Sequence, residues 1–288
     1  MARDSSREGI YFIISPLHSI LQKSTMKKES CMSQYYAGKR GKNIFDPASK
    51  EPFTISRTKL DLFMNCMRCF FLDVRLGVGQ PPGYPFSLNN AVDILLKKEF
   101  DLHRAKNTTH PLMKIYGIDA VPFSHEKINE WRNARTEGIK YFHEPANLIL
   151  RGGIDDIWVN SQGELHIVDY KATSKNGEVG IDAPWQEGYK RQIEIYQWLF
   201  RKNGFPVSSI GYFVYVNGKT DKEAFDGRLE FDVKIIPYEG DCSWVEDTLV
   251  KAKECLISDK LPQASAECDF CVYRKAVQDA LVPFQKKE

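Results

Sequence analysis

The chain has 288 residues, and its 40 basic and 38 acidic side chains give a net charge of +2. A charge so close to zero provides no overall attraction to nucleic acid or membrane, so any anion-binding surface must be local. Hydrophobic residues at 42% and charged residues at 27% exclude a mainly disordered, collagen-like or coiled-coil chain.

Residues 1–53 form a basic, turn-rich arm without periodicity, and we expect this arm to be mobile. Its apolar stretch 10–21 contains Pro16 and His18 and precedes no small-residue cleavage pattern, which is unlike a signal peptide. We interpret it as a poorly structured leader or an incorrectly assigned start. No apolar run in the sequence reaches the roughly 20 residues of a membrane span, so no membrane association is expected.

The folded domain is expected over residues 54–288, and its first part is predicted to be helical. Ser56 is a suitable N-cap for a helix, and the apolar residues at helical spacing after it are Leu60, Phe63, Met64 and Met67. After a break at 77–85, a second helix is expected, with an apolar stripe made of Leu88, Val92, Leu95, Leu96 and Phe100. A third helix is expected near 124–142.

From residue 148 the pattern changes to strands. A β-hairpin is predicted, with strands over 148–159 and 165–170 and a tight turn at 160–163. The elements expected after it are a helix over 185–202, strands over 210–216 and 229–235, and a helix over 244–256. This order predicts an α/β (α+β) fold in which helices flank one mixed central sheet, with a cysteine-bearing helical subregion.

Three charged residues of the hairpin are expected to converge. Residues two apart on a strand point to the same face, so Asp169 and Lys171 project together, and the hairpin returns Asp155 beside them. Such a group is costly unless a divalent cation lies between the carboxylates, and hard oxygen ligands suit Mg²⁺ or Mn²⁺. The ion can hold a phosphate oxygen and acidify a water that Lys171 orients. The alternative is a solvent-facing strand edge with a bulge at Gly152 and Gly153.

The stretch 150–171 resembles the core motif of the PD-(D/E)XK nuclease superfamily, specifically its RecB-like branch, which includes CRISPR-associated exonucleases. The family pattern of a glycine, an aspartate and an apolar-apolar-Asp-Tyr-Lys strand corresponds here to Gly152, Asp155 and 167–171. The family's Gln-x-x-x-Tyr pattern follows as Gln192 and Tyr196, which share a helical face at spacing i, i+4.

The resemblance implies a restriction-endonuclease-like fold over roughly 54–275 and a metal-dependent nuclease that acts on single-stranded or end-bearing DNA. The site residues that it implies are Asp155, Asp169, Tyr170 through its carbonyl, Lys171, Gln192 and Tyr196. The aspartates and the carbonyl would hold Mg²⁺ or Mn²⁺, the lysine would position the water, and the last two would organise the active face. Asp93 stands where the family usually has a metal-binding histidine, and aspartate also ligates magnesium.

DNA is the partner that the resemblance implies, together with a helicase or another nucleic-acid-processing protein. A second hypothesis is a non-catalytic DNA-binding or scaffold subunit that keeps the same fold. Near the proposed site, Lys175, Lys190 and Arg191 are candidates for phosphate contacts, and Trp185 and Tyr189 for base stacking. The alternative for each of these five is an ordinary surface or packing role.

Two Cys-x-x-Cys pairs, Cys66–Cys69 and Cys268–Cys271, are separated by nearly the whole domain. An odd total of seven cysteines does not suit a disulfide framework, and the pairs indicate metal ligands in a reducing compartment, by default the cytoplasm. Four thiolates accept an iron–sulfur cluster or zinc. Related nucleases hold an iron–sulfur cluster with one upstream and three downstream cysteines, so the resemblance favours the cluster, here in a two-plus-two arrangement. Free buried cysteines without metal and a plain zinc-stapled interaction domain are the competing hypotheses.

Overall fold

The computed structural model describes residues 38–83 and 87–285. The elements in this part of the chain are β1 Phe53–Ser56, α1 Arg57–Asn65, α2 Met67–Val74, α3 Ser87–Lys106, α4 Pro111–Ile115, β2 Val121–Pro122, α5 Ile128–Arg132, β3 Ile139–His143, β4 Leu148–Gly152, β5 Asp156–Val159, β6 Leu165–Thr173, α6 Glu187–Lys202, β7 Ile210–Gly218, β8 Phe231–Glu239, α7 Trp244–Ile257 and α8 Asp269–Gln285.

The strands form two mixed sheets flanked by helices, which confirms the predicted fold class. The larger sheet has the order β2-β5-β6-β7-β8, with β6 and β7 parallel and the other neighbours antiparallel. The smaller sheet has the order β1-β4-β3, in which β1 is parallel and β3 antiparallel to β4. The single central sheet expected from the sequence is therefore divided in two.

The division occurs where the chain leaves β4, so the prediction of one continuous strand over 148–159 is wrong. A Cβ atom at Gly153 would collide with the backbone of Ala134, and one at Gly152 would collide with the ring of Tyr196. The backbone thus packs too closely here to continue an ordinary pleated strand. It bends through Ile154 and Asp155 and enters the larger sheet as β5.

The predicted helices are confirmed in part. The hydroxyl of Ser56 caps α1 by accepting a hydrogen bond from the backbone N–H of Lys59 at 3.3 Å, but extended backbone at Cys66 (φ −160°) separates α1 from α2. In α3, the predicted stripe is wrong for Leu88 and Leu95, which are 58% and 62% exposed. The stripe is confirmed for Leu96 and Phe100, and the buried side of α3 continues from them to Arg104.

The helix expected near 124–142 is wrong over most of its length. Only α5 is helical there, and Gly138 with φ +76° precedes the strand β3. Along β3 the side chains alternate, with Ile139 and His143 buried and Lys140 exposed. Pairing with β4, which is a tertiary contact, decides the conformation of this segment.

Of the predicted basic arm, residues 1–37 lie outside the described residues. The described end packs on α2: the backbone N–H of Phe45 donates to the carbonyl of Val74 at 2.8 Å, and the Phe45 ring is buried in the main core. Arg40 forms an ion pair with Asp73.

The larger sheet lies between two apolar layers. On one side, Phe100 of α3 packs with Trp158 and Tyr170 of the sheet, and on the other Ile193 of α6 packs with Ile167. Consecutive residues of β6 therefore face α3 and α6 in turn, and both helices bring side chains to the end of β6. Within the described residues, no helix has the length and apolar character needed to cross a membrane.

Candidate active site

The end of β6 brings together the three charged groups of the hairpin. Asp156 pairs with Val168 across the β5–β6 ladder, which puts Asp155 beside Asp169. The Oδ2 atom of Asp155 accepts a hydrogen bond from the backbone N–H of Tyr170 at 3.0 Å. Asp169 and Lys171, two residues apart on β6, form an ion pair.

Helix α6 contributes Gln192 directly to this group. Its side-chain N–H donates to Oδ1 of Asp169 at 2.6 Å, and its carbonyl oxygen accepts from the ammonium of Lys171 at 3.5 Å. Tyr196, one turn along, instead donates its hydroxyl to the backbone carbonyl of Gly153 at 2.6 Å. Gln192 thus contacts the charged side chains, whereas Tyr196 holds the β4–β5 connection in place.

Helix α3 contributes a lysine that the sequence analysis did not identify. The ammonium of Lys97 lies 2.8 Å from Oδ2 of Asp93 and 3.2 Å from Oδ1 of Asp155, so it joins the two carboxylates. Asp93 therefore reaches the site through Lys97. The pairing of Lys97 with Asp93 could be deduced from the sequence, because residues at i and i+4 on a helix lie side by side, but its contact with Asp155 is a tertiary contact.

The two central aspartates have opposite pKa shifts. Burial raises the pKa of Asp155, but Lys97, Lys171 and the N–H of Tyr170 outweigh it, so this pKa is lowered and the group stays charged. Burial raises the pKa of Asp169 to about 7, with Lys171 opposing the rise and the charge of Asp155 adding to it. Two carboxylates in contact repel each other, and a cation between them removes that cost.

The donor set fits one hard divalent cation. The Oδ2 atom of Asp169 is buried and, apart from the ion pair with Lys171, has no hydrogen-bond partner among the described residues. The N–H of Tyr170 points towards Asp155, and in a strand the N–H and C=O of one residue point to the same neighbour, so the Tyr170 carbonyl lies on the same edge. Two carboxylates and this carbonyl are the oxygen ligands that Mg²⁺ or Mn²⁺ prefers.

Asp93 stands apart from this donor set. Among the described residues, the group of three or more acidic, histidine or cysteine side chains that is placed to hold one metal ion consists of four cysteines, whose ligand atoms all lie within 4.8 Å of one another. Asp93, Asp155 and Asp169 do not form such a group. Asp93 is paired with Lys97 instead, and burial raises its pKa while Lys97 opposes the rise.

Two cavities flank the charged group and share Lys171 and Tyr189. One of about 330 Å³ extends along α3 past Asp93, and one of about 740 Å³ extends past Arg57 and the exposed ring of Trp185. The Lys171 ammonium lies 4.3 Å from the centroid of the Tyr189 ring. The two cavities thus form a groove that extends from Lys171 in both directions.

The basic candidates near the groove already have acidic partners or lie on the surface. Arg191 contacts Asp61 at 2.7 Å, and Lys190 is paired with Asp182 and Glu187. Lys175 is exposed.

A buried network supports the backbone of Asp155. Arg132 donates from Nε to the carbonyl of Asp155 at 3.0 Å and from a terminal nitrogen to Asp156 at 3.0 Å. Asp156 is fully buried and also pairs with Arg104 and accepts a hydrogen bond from the Tyr170 hydroxyl at 2.7 Å. Sequence analysis missed this network, because it joins the β5–β6 hairpin to α3 and α5, which are distant from it along the chain.

The four paired cysteines form a second centre at the junction of α1, α2 and α8. Their Sγ atoms are 3.8 Å apart for Cys66–Cys271, 3.5 Å for Cys69–Cys268 and 3.6 Å for Cys69–Cys271. Burial raises the pKa of Cys66, but backbone N–H groups of Ser265 and Cys69 outweigh it and lower this pKa to about 7. Burial raises the pKa of Cys69 and of Cys271, so Cys66 is the member of the group whose thiol is shifted towards the thiolate that metal ligation requires.

Comparison with known proteins gives one family. A family model of the PD-(D/E)XK nuclease superfamily matches residues 90–276, which is more than half of the chain. No curated protein matches the chain. A solved structure described as the crystal structure of SSO0001 is similar, with 18% sequence identity and a TM-score of 0.38, over 79% of this chain and 86% of that one.

Proposed function

Because the chain belongs to the PD-(D/E)XK nuclease superfamily, we propose that it is a Mg²⁺- or Mn²⁺-dependent nuclease that hydrolyses phosphodiester bonds in DNA. The observation that carries this proposal is the convergence of Asp155, Asp169 and Lys171 at the end of β6. Single-stranded or end-bearing DNA is the proposed substrate, and a groove that passes over Lys171 on both sides supports a strand-shaped ligand.

In this mechanism Asp155, Asp169 and the Tyr170 carbonyl would hold the ion, which when bound would neutralise charge on the phosphate and lower the pKa of a water. Gln192 holds both the Asp169 carboxylate and the Lys171 ammonium, so the ammonium is oriented before substrate arrives. Lys171 donates to the attacking water and the phosphate oxygens. The water oxygen forms a bond to phosphorus, and the bond from phosphorus to one bridging oxygen breaks. One proton of the water ends on that bridging oxygen, which leaves as a hydroxyl.

The remaining roles follow from the same contacts. Tyr196 acts as a positioning residue, since it holds the carbonyl of Gly153 two residues before Asp155. Asp93 is proposed as an outer carboxylate that acts through Lys97 rather than as a direct ligand. Tyr189 and the exposed Trp185 are proposed to stack on bases in the groove.

The RecB-like branch is our proposal for the position of the chain within the superfamily. It rests on the Gln192–Tyr196 pattern and on cysteine pairs at both ends of the domain. From the same resemblance we propose a nuclease domain over 54–288 and a helicase or other nucleic-acid-processing partner. From composition and cysteine usage we propose a basic arm before this domain and a cytoplasmic location.

For the four-cysteine centre we propose a structural metal site. Four thiolates at about 2.3 Å from one zinc ion lie about 3.8 Å apart in a tetrahedron, and the three sulfur separations of 3.5–3.8 Å match that arrangement. An iron–sulfur cluster interposes several atoms between its thiolates and spreads them further. The geometry thus supports a single ion, and the family resemblance supports the cluster. Absorbance near about 400 nm, where thiolate-bound clusters absorb, distinguishes the two.

One observation favours the alternative of a non-catalytic DNA-binding subunit. Lys97 joins Asp93 and Asp155 on the α3 side of the site. An ammonium in this position reduces the negative charge that attracts a metal ion. If that pairing persists, the fold would bind DNA without hydrolysing it.

Cleavage assays on the purified full chain separate the two functions. Labelled single- and double-stranded DNA, with matched RNA, is incubated with Mn²⁺ and the wild type, a Lys171→Ala variant or a Lys106→Ala variant. Lys106 is the control, because it is an exposed lysine at the end of α3 and lines neither of the two cavities beside Lys171. We expect products from the wild type and Lys106→Ala only. Equal products from Lys171→Ala contradict the mechanism, and no product from any protein favours the binding subunit.

A further inference from the structure

The smaller sheet has one face in the core and one face uncovered. On the uncovered face, Ser56 of β1, Arg151 of β4 and Lys140 of β3 lie directly opposite one another across the three strands. The neighbouring row on this face includes Ile149 and Phe142, whose ring is 44% exposed. No helix of the described chain covers these residues.

Arg151 and Lys140 place two positive charges directly opposite each other, which destabilises a sheet. Arg151 donates to the backbone carbonyl of Arg135 at 3.1 Å. In the described part of the chain, neither Lys140 nor Arg151 forms an ion pair with an acidic side chain. The repulsion between Lys140 and Arg151 is therefore not compensated by an ion pair in the described part of the chain.

The two cations form part of a concave site that we call the cationic sheet site: Arg40, Lys59, Lys140 and Arg151. These residues line a cavity of about 480 Å³. Arg40 and Lys59 both pair with the buried Asp73, so two cations share one carboxylate. Glu137 is the one acidic residue of the cavity lining, so with Asp73, which pairs with two of the lining cations, two negative charges stand against four positive ones.

This site adjoins the active-site groove. Ser56 and Lys59 line the cationic cavity, whereas Arg57 between them lines the groove that contains Lys171. The two cavities thus lie on either side of the first turn of α1. From Arg151 the chain reaches Asp155 in four residues.

We propose that the cationic sheet site binds the phosphate backbone of a single-stranded nucleic acid whose neighbouring nucleotides occupy the active-site groove. This inference rests on the proposed function. Half-exposed cations track a phosphate backbone, and an exposed aromatic ring such as Phe142 offers a surface for base stacking, the combination found in single-strand binding sites. Phosphate contacts position a strand without reading its sequence, so the site sets the register of the substrate.

Equilibrium binding without added divalent ions tests this site and requires no cleavage. Fluorescence anisotropy measures the binding of labelled thymidine oligonucleotides of about 4 and about 16 nucleotides, which is the range that single-strand binding modules cover. The double variant Lys140→Gln/Arg151→Gln is compared with the wild type and with a control, Lys106→Gln/Lys114→Gln. The control removes the same charge, and Lys106 lies 13 residues along α3 from Asp93, a rise of about 20 Å.

The longer oligonucleotide is expected to bind the Lys140→Gln/Arg151→Gln variant about tenfold more weakly at physiological salt. The slope of log affinity against log salt falls by about 1.4, because each single-strand phosphate contact contributes about 0.7. The control keeps the wild-type slope. An equal loss in the control, an unchanged slope in the test variant, or displacement of the oligonucleotide by polyglutamate as readily as by unlabelled oligonucleotide overturns the proposal.

Thermal stability gives an independent result. Removal of like-charge repulsion by Lys140→Gln is expected to raise the melting temperature of the free protein, and the longer oligonucleotide stabilises the wild type more than the double variant. A lower melting temperature for Lys140→Gln would show that Lys140 serves the fold and would refute the proposal. If the Lys171→Ala cleavage assay contradicts the proposed mechanism, only hydrolysis is in question. The binding and melting measurements still test the cationic sheet site.

Discussion

Asp156 and the two arginines beside it fix the backbone that carries Asp155. Asp156 is fully buried, and the side chains of Arg104 and Arg132 are only 8% and 10% exposed. Arg132 pairs with Asp156 and also donates to the backbone carbonyl of Asp155. The position of the Asp155 carboxylate therefore depends on Asp156, which faces away from the site. The proposed site thus depends on residues outside the group formed by Asp155, Asp169 and Lys171.

Replacement of Asp156 tests this dependence. Asp156→Ala leaves two buried guanidinium groups without their shared carboxylate, and we expect the free energy of unfolding to fall by about 3–5 kcal/mol. Urea unfolding at neutral pH measures the change. Asp232→Ala is the control, since Asp232 is 71% exposed and its ion pair with Lys219 is worth less than about 1 kcal/mol. Equal effects of the two variants would contradict a structural role for the network.

The same network predicts a pH dependence. Burial raises the pKa of Asp101, but Arg132 and Arg104 outweigh it, so this pKa is lowered in the folded chain. A lowered pKa stabilises the fold above the unfolded value of about 3.9 and loses that contribution as pH falls through the folded value. Asp101 is 42% exposed, so solvent limits the gain to about 1 kcal/mol.

Urea unfolding of the wild type and Asp101→Asn at several pH values measures this contribution. The wild type is expected to be more stable at pH above about 5, and the difference should shrink below about pH 4. A difference that is independent of pH would rule out the charge of Asp101 as its source.

At the scale of elements, the glycines at the end of β4 decide how the two sheets meet. Gly152 lies against the ring of Tyr196, whose hydroxyl holds the carbonyl of Gly153. Any side chain at Gly152 must displace that ring. The bend that presents Asp155 therefore depends on a missing Cβ atom.

Gly152→Ala is expected to lower both stability and DNA cleavage. Overpacking of this kind costs about 1–3 kcal/mol, and a shift of Tyr196 releases the β4–β5 connection. Gly180→Ala is a matched control, because nothing lies within 4 Å of a Cβ atom there. Melting temperatures and cleavage rates are compared for both variants. Wild-type stability in Gly152→Ala would show that the ring moves at no cost.

The sequence predicted elements well where local signals decide them. Helix α6 and the turn at 160–163, where Gly163 has φ +84°, were confirmed because periodicity and a glycine specify them locally. The helix near 124–142 was wrong, because pairing with β4 overrides local preference in β3. The division of the sheet was missed for the same reason, since packing against Tyr196 and Ala134 becomes visible only in three dimensions.

In the candidate site, too, the sequence predicts local proximity but not tertiary contacts. Asp155, Asp169 and Lys171 are close together because a hairpin and a two-residue period place them, and both can be deduced from the sequence. Lys97 and Arg132 approach Asp155 from distant elements, and no local pattern indicates that approach.

At the scale of the whole molecule, the four-cysteine centre joins the two ends of the domain. Cys66 and Cys271 are 205 residues apart in sequence, and their Sγ atoms are 3.8 Å apart. Helix α8 is exposed along most of its length, with Cys271 as its buried residue. The attachment of α8 therefore depends strongly on this centre.

Cys69→Ser is expected to abolish metal binding at the centre and to lower stability. A bound ion stabilises the fold by about 4 kcal/mol when its free concentration is about 1,000-fold above Kd, and the variant loses this gain. Metal content and melting temperature measure both effects. Cys255→Ser is the control, because Cys255 is half-buried outside the four-cysteine group. A full metal content in Cys69→Ser would disprove the four-thiolate assignment.

The ion held between Asp155 and Asp169 is the central claim, and Mn²⁺ binding followed by electron paramagnetic resonance tests it without any cleavage. The wild type is expected to bind one Mn²⁺ at this site, since manganese prefers oxygen ligands to the four thiolates. Asp155→Asn and Asp169→Asn should each weaken that binding by about a hundredfold or more, whereas Asp93→Asn changes it by less than about tenfold. Wild-type affinity in Asp155→Asn or Asp169→Asn would contradict the claim.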